Sequence, residues 1–341
     1  MNRRLPAEWE AQDGVLLAWP HADSDWRDDL EAVEAVFVHI AREISRFERV
    51  LIVAPKIEPV WEQLFQAGVD MRQVSLYRMG TNDTWARDFG PITVIEDYIP
   101  MLLDFGFNAW GLKFAADLDN KMTGNLALAG AFGRCEVRIP GLVLEGGSIE
   151  SDGTGTLLTT SQCLLSPNRN PHLDRQGIEQ ALGGLLGVAR FLWLENGYLA
   201  GYDTDSHIDT LARLCPDDTI VYVRCEDQND EHFAALAAME NELRTFLTAE
   251  GRPYQLIPLP WPQPCFDTDG HRLPATYANF LIINGAVLVP TYQDPQDAAA
   301  LRIIGHVFPG RAIIGIDCRP LIVQHGSLHC VTMQIPQGVL P

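Results

Sequence analysis

Four short stretches hold side chains able to do covalent or acid–base chemistry. The first, QHGSLHCVTMQIP (324–336), carries Cys330. Read as a strand, its side chains alternate, with His329, Val331, Met333 and Ile335 on one face and Leu328, Cys330, Thr332 and Gln334 on the other. Cys330 therefore falls on the more polar face, which makes it a candidate nucleophile. The second stretch is GYDTDSHIDTLARL (201–214). Taken as extended, it lines up Asp203, Asp205, His207 and Asp209 on one side, and carboxylates around one histidine favour an imidazolium and a bound cation. An Asp-rich solvated turn is the plainer alternative, and Asp205 is assigned to it. The third, TNDTWARDFGP (81–91), gathers Asp83, Trp85, Arg87 and Asp88 before a Gly-Pro turn. Arg87 and Asp88 serve there either as a structural ion pair or cap, or as functional groups. In the fourth, LVLEGGSIESDGTGTLLTT (142–160), Glu145 ends an apolar run just before Gly146-Gly147, as a turn former or a ligand contact.

One reaction class uses a thiol, a histidine and several carboxylates without a metal or a phosphate loop. A guanidinium is planar, permanently charged and resonance stabilised, so a nucleophile reaches its carbon only when the cation is held and its charge matched. Carboxylates do this bidentately through the N–H groups. The thiolate then adds to the carbon and the histidine hands a proton to departing ammonia. The same imidazole can afterwards activate water against the S-alkylthiouronium intermediate.

Elements of both kinds must position these groups. Apolar, β-branched runs bounded by Gly, Pro, Asn and Asp predict strands at 15–19, 49–54, 90–95, 156–160, 218–224, 280–290, 312–316 and 328–335. Helical periodicity occupies 28–47, 231–250 and 294–308 between them. No linker, charge run or change of composition divides the 341 residues, so a single domain over 1–341, built from repeated α/β units, is expected.

Composition narrows the function classes. With 47% apolar and 21% charged residues the chain reads as an ordinary soluble globular protein. The start, MNRRLPAEWEAQDG, lacks the apolar core of a signal peptide, and no run is long enough to span a membrane, which predicts a cytoplasmic protein. The seven cysteines are scattered, with no CxxC pair and no metal-ligand spacing, so free thiols, no metal and no cofactor are expected. A net charge of −20 argues against nucleic acid as a partner. It draws cations only in a general way, and a homo-oligomer is left open.

The motifs resemble a known family, the guanidine-modifying enzymes of the pentein superfamily, and within it the agmatine deiminase and Porphyromonas-type peptidylarginine deiminase branch. WP (19–20), NDTWARDFGP (82–91), FNAWG (107–111), LEGGSIESDGTGTLLTT with CLL and NRNP (144–171), DTDSHIDTLAR (203–213), ATYANF with NGAVLVPTYQDPQDA (275–298) and HGSLHCVTMQIP (325–336) carry the likeness over nearly the whole chain. The resemblance implies an α/β pentein fold, a five-bladed propeller of ββαβ units about a pseudo-fivefold axis. It assigns the nucleophile to Cys330, the acid/base to His207 and the guanidinium-holding acids to Asp88 and Asp209. Glu145 matches a further active-site carboxylate. Trp85 matches a tryptophan on the substrate's methylenes, with an ordinary core aromatic as the alternative, and Asp203 a carboxylate near the distal amine. Departures lie beside these positions, namely HGSL (325–328) in place of a Gly-rich stretch, Phe89 after the Arg-Asp pair and Ser206 before the histidine.

The implied activity is hydrolysis of agmatine, a small cationic guanidine, to N-carbamoylputrescine and ammonia. A peptidylarginine or free-arginine deiminase is the alternative within the superfamily. A cysteine-protease-like hydrolase has no use for carboxylates reserved for a cation, and a non-catalytic polyamine binder has no use for the thiol.

Overall fold

The computed structural model describes residues 3–201 and 204–341. Four segments of the second half fold much as their patterning predicts, with strands at Thr219–Val223 and Ala312–Asp317 and helices at Phe233–Leu243 and Asp297–Val307. The run at 280–290 differs, since it forms two strands, Leu281–Ile283 and Ala286–Thr291, joined through Asn284 and Gly285. Gly285 sits at φ +71, a backbone region that a side chain disfavours, so the apolar run folds back on itself.

One connection pattern recurs in five of the sheets: an antiparallel pair, a helical crossover, then a strand parallel to the second. Ile149–Ser151 pairs with Thr156–Thr160, helix Arg175–Leu186 crosses over, and Arg190–Leu194 runs parallel to Thr156–Thr160. Ala212–Cys215, Thr219–Val223 and Gln255–Leu259 repeat it, as do Leu281–Ile283, Ala286–Thr291 and Ala312–Asp317. Ile92–Glu96, Ile99–Leu103 and Glu136–Arg138 follow it with short helical pieces in the crossover. In the fifth sheet the chain's last strand, Thr332–Pro336, supplies the first position, pairing antiparallel with Gln12–Ala18. Arg49–Ala54 and Val74–Arg78 then continue that sheet in parallel. The sheets are open and separate, and none among the described residues closes on itself.

Helix Leu30–Ile44 shows how the pieces hold together. Val33, Val36, Phe37, Ile40, Ala41 and Ile44 recur at helical spacing and are buried, while the opposite side stays wet. Phe37 meets Trp19 edge to face, with centroids 5.6 Å apart. Each such side chain contributes roughly 1.5–3 kcal/mol by leaving water, and Phe37→Ala would cost about 3–5 kcal/mol. No helix among the described residues is long and apolar enough to cross a membrane.

Candidate active site

Each of these five sheets delivers polar groups from the turn just before its first strand. Cys330 precedes Thr332–Pro336, and Asp88 lies in the one-turn helix Ala86–Phe89 before Ile92–Glu96. Glu145 and Gly147 precede Ile149–Ser151, His207 and Asp209 precede Ala212–Cys215, and Asn279 precedes Leu281–Ile283. Residues far apart in sequence therefore meet because they occupy the same step of a repeated unit.

The meeting is close. Cys330 Sγ lies 4.0 Å from Asp209 Oδ2 and 3.4 Å from Asn279 Oδ1. His207 Nδ1 is 3.6 Å from Asp88 Oδ1, and its Nε2 is 3.8 Å from Glu145 Oε2. Gly147 lets these groups converge, since a Cβ there would stand 2.7 Å from His207 Nδ1, 2.8 Å from Asp88 Oδ1 and 3.2 Å from Asp209 Oδ2. Its own N–H donates to Asp88 Oδ1 at 3.0 Å, and Trp110 Nε1 donates to Asp88 Oδ2 at 2.9 Å. Trp110 reaches that position from a left-handed stretch, with φ near +51, +54 and +91 at Ala109, Trp110 and Gly111. Non-glycine residues enter that region only at an energetic cost, which the surrounding contacts must offset.

Burial and charge set the protonation of these groups. Burial pushes Asp88 up, against the pull of His207 and with repulsion from Asp209. Burial opposes the charged form of His207, yet Asp88, Cys163 and Glu145 hold its pKa well above the ordinary histidine value, which favours the imidazolium. Burial also acts against Asp209, but the hydrogen bond and charge of His329 leave its carboxyl below the usual range. Asp209 Oδ2 accepts from His329 Nδ1 at 2.7 Å, whereas Oδ1 is buried without a hydrogen-bond partner among the described residues.

A cleft opens onto this cluster, lined by Asp25, Asp83, Trp85, Asp88, Trp110, Phe114, Thr204, Gln324, His325, Gly326 and Cys330. Its empty volume is about 430 Å³ including the open mouth. No Arg or Lys is among the described residues that line it. Trp85 presses so closely on the backbone that a Cβ on Gly326 would fall 2.1 Å from its ring. The glycine in HGSL thus admits the indole to the cleft wall.

The positions proposed from sequence separate into groups. Cys330, Asp88 and Trp85 line the cleft, with His207 and Asp209 directly behind that lining. Glu145 is fully buried and does not line the cleft; it faces His207, and both its oxygens accept from Arg169 Nε at 2.9 Å. Asp203 lies outside the described residues. Asp205 turns away at φ +63 to pair with Arg169 and with Lys113 at 3.1 Å. Arg87 points away from the cleft, with Nη2 4.0 Å from Glu8 and Nη1 on Gln334.

Two local expectations are corrected. The last strand begins at Thr332, so Cys330 sits in a turn, and Leu328, His329 and Cys330 are all buried. The turn is fixed by Asn279 Oδ1, which accepts the backbone N–H of His329 at 2.9 Å and of Cys330 at 3.3 Å. Residues 205–209 are likewise not extended, because Asp205 and Ser206 have positive φ and Ile208–Thr210 is a short 3-10 turn. Period-two counting therefore grouped His207 with Asp209 by the wrong geometry. Sequence reasoning assigned no role to Trp110, Arg169, Arg213, Asn279 or His329, although FNAWG, NRNP, DTLAR, ATYANF and HC contain them. A charged Arg213 amid apolar neighbours was the one signal available, and Glu8 gave none.

The chain is 35% identical to an agmatine deiminase of Pseudomonas putida, over 98% of this chain and 96% of that protein. A Porphyromonas gingivalis protein provisionally named arginine deiminase is 50% identical, with TM-score 0.95 over 99% and 100% of the two chains. A cysteine-to-serine variant of C. jejuni agmatine deiminase, with substrate bound, is 38% identical with TM-score 0.91 over 99% and 97%. Dimethylarginine dimethylaminohydrolase, at 12% identity and TM-score 0.52 over 95% and 100%, shares the fold alone. The family model for Porphyromonas-type peptidyl-arginine deiminase matches residues 4–336, and the chain belongs to that family.

Proposed function

We propose that the protein is an agmatine deiminase that hydrolyses agmatine to N-carbamoylputrescine and ammonia through a covalent adduct on Cys330. The guanidinium lies between Asp88 and the open Oδ1 of Asp209, with its carbon facing the sulfur. Cys330 Sγ adds to that carbon, and His207 gives its proton to the leaving nitrogen. Ammonia departs, leaving an S-alkylthiouronium. His207, now neutral, takes a proton from water as the oxygen adds to the same carbon; collapse of that adduct expels the thiolate, and loss of the remaining hydroxyl proton to solvent frees the ureido product. Glu145, pinned by Arg169, orients His207 in this scheme, while Trp85, Trp110 and Phe114 flank the methylenes.

The observation that carries this reading is a buried aspartate, Asp209, whose carboxylate comes within 4.0 Å of the Cys330 sulfur behind a cleft that no arginine or lysine among the described residues lines. Free arginine would bring an α-carboxylate into a cleft lined by Asp25, Asp83 and Asp88 and by no arginine or lysine among the described residues, which favours agmatine over it. The five sheets, each feeding the same centre from its first turn, are read as blades of a five-bladed propeller about a pseudo-fivefold axis, forming one catalytic domain. The test is to incubate purified protein with agmatine, free arginine and an arginine-containing peptide and measure ureido product. Agmatine should be turned over best. Absence of agmatine turnover overturns the assignment.

A further inference from the structure

Behind the thiol lies a second polar cluster that the scheme above does not use. His329, adjacent to Cys330 in sequence, places Nδ1 2.7 Å from Asp209 Oδ2 and Nε2 2.7 Å from Glu8 Oε2. The imidazole thus bridges two buried acids, one at each ring nitrogen, with Arg213 Nη2 also 3.1 Å from its Nε2. Glu8 is itself fixed, accepting from Ile282 N at 2.6 Å and from Arg213 Nη2 at 2.8 Å. Arg213 is anchored in turn by Glu150, by the carbonyls of Ala278 and Phe280, and by the Phe280 ring 4.6 Å beneath its guanidinium. Arg87 closes the same side, its Nε donating to His329 O at 3.4 Å. The backbone N–H of His329 donates to Asn279, which also holds the Cys330 turn.

We propose that His329, braced by Glu8 and Arg213, is a positioning residue that fixes one oxygen of Asp209 so that the other faces the cation to be attacked. The proposal rests on the reading of Asp209 as a guanidinium ligand. A carboxylate rotates readily about its last torsion, and an unbraced one would present its charge in several orientations. With Oδ2 taken by His329, Oδ1 has no hydrogen-bond partner among the described residues and is left to accept from a substrate N–H. The electrostatics fit, since His329 and Arg213 outweigh the penalty of burial at Glu8 and leave its carboxyl below the usual range. Positioning of this kind acts on the geometry of attack rather than on the thiol itself.

The experiment compares two alkylating reagents on Cys330. 2-Chloroacetamidine is a small amidinium cation, and the sulfur displaces its chloride to form a C–S bond. Iodoacetamide is neutral and loses iodide in the same displacement. In His329→Gln, confirmed folded by circular dichroism, alkylation by the amidinium should slow about 10- to 100-fold, while iodoacetamide changes by less than about 3-fold. Glu8→Gln, one step further away, should slow the amidinium roughly 3- to 10-fold with the same selectivity. Equal slowing of both reagents, or no slowing of the amidinium in either folded variant, overturns the proposal. Neither reagent is agmatine, so the substrate assignment stands or falls separately by the turnover assay.

Discussion

The two sides of the Cys330 turn use the same residue types to opposite ends. On the back side, Glu8, Glu150 and Asp209 meet Arg213, His329 and Arg87, and most of their donors and acceptors are engaged. On the other side, Asp83 lines the cleft and Asp119 lies behind the Asn82 loop; neither forms an ion pair among the described residues, and burial drives their carboxyls up to about 6 and about 7. Asp88 is also pushed upward, although His207 stands beside it. Matched buried charge fixes a structure, while carboxylates left short of positive charge make a place for a cation from outside.

Four outcomes would sharpen or break that contrast, taken from the largest effect. Cys330→Ser should lose agmatine turnover by about 10⁴-fold or more yet still bind agmatine in calorimetry, because the carboxylates remain. A polyamine binder would keep its whole function in that variant. Asp88→Asn and Asp209→Asn should each cost roughly 10²- to 10⁴-fold in kcat/KM, since each removes a charge facing the guanidinium. A protease-like site would scarcely register Asp88→Asn.

On the back side the same kind of change should register as stability. Arg213→Leu strands Glu8 and Glu150 without their guanidinium, and urea denaturation should show a loss of about 3–5 kcal/mol. A variant as stable as the parent would mean that the cluster is not the fixed element described here.

The smallest effect concerns pH. Asp119 accepts from the backbone of Asn82 at 2.7 Å, holding the loop that leads to Trp85 and Asp88. Its folded pKa of about 7 lies above the ordinary aspartate value, so the fold prefers the protonated acid. The stability this group contributes is present at low pH, falls as pH rises from roughly 4 to 7, and stays low above that. Asp119→Asn keeps the acceptor and removes the titration. Urea midpoints should favour the variant by roughly 1–3 kcal/mol at pH 8, and the advantage should shrink below pH 5. A difference independent of pH would show that burial does not govern this acid.

Much of this was legible in advance, unevenly. The strands at 49–54 and 156–160 coincide with their apolar runs, because buried strands announce themselves locally. Cys330, His207, Asp88 and Asp209 were singled out as groups whose types suit one chemistry, and the fold brings them within a few ångström of common neighbours. Glu145 was marked from its place before Gly146-Gly147, but its orientation toward His207 and Arg169 was not legible there. His329 was seen only as the far face of a strand that begins two residues after Cys330.

The sequence by itself determined the alternation of strands and helices, the acidic balance and the inventory of reactive groups, since these follow from local periodicity and side-chain chemistry. Only the tertiary structure decided which acids face the thiol and which are neutralised behind it. That choice depends on contacts such as Glu8 with His329, 321 residues apart, and on turns whose irregular backbone no period describes. Glu8 and Asp88 are both carboxylates in a string of letters; the packing around them makes one a brace and leaves the other open to a cation.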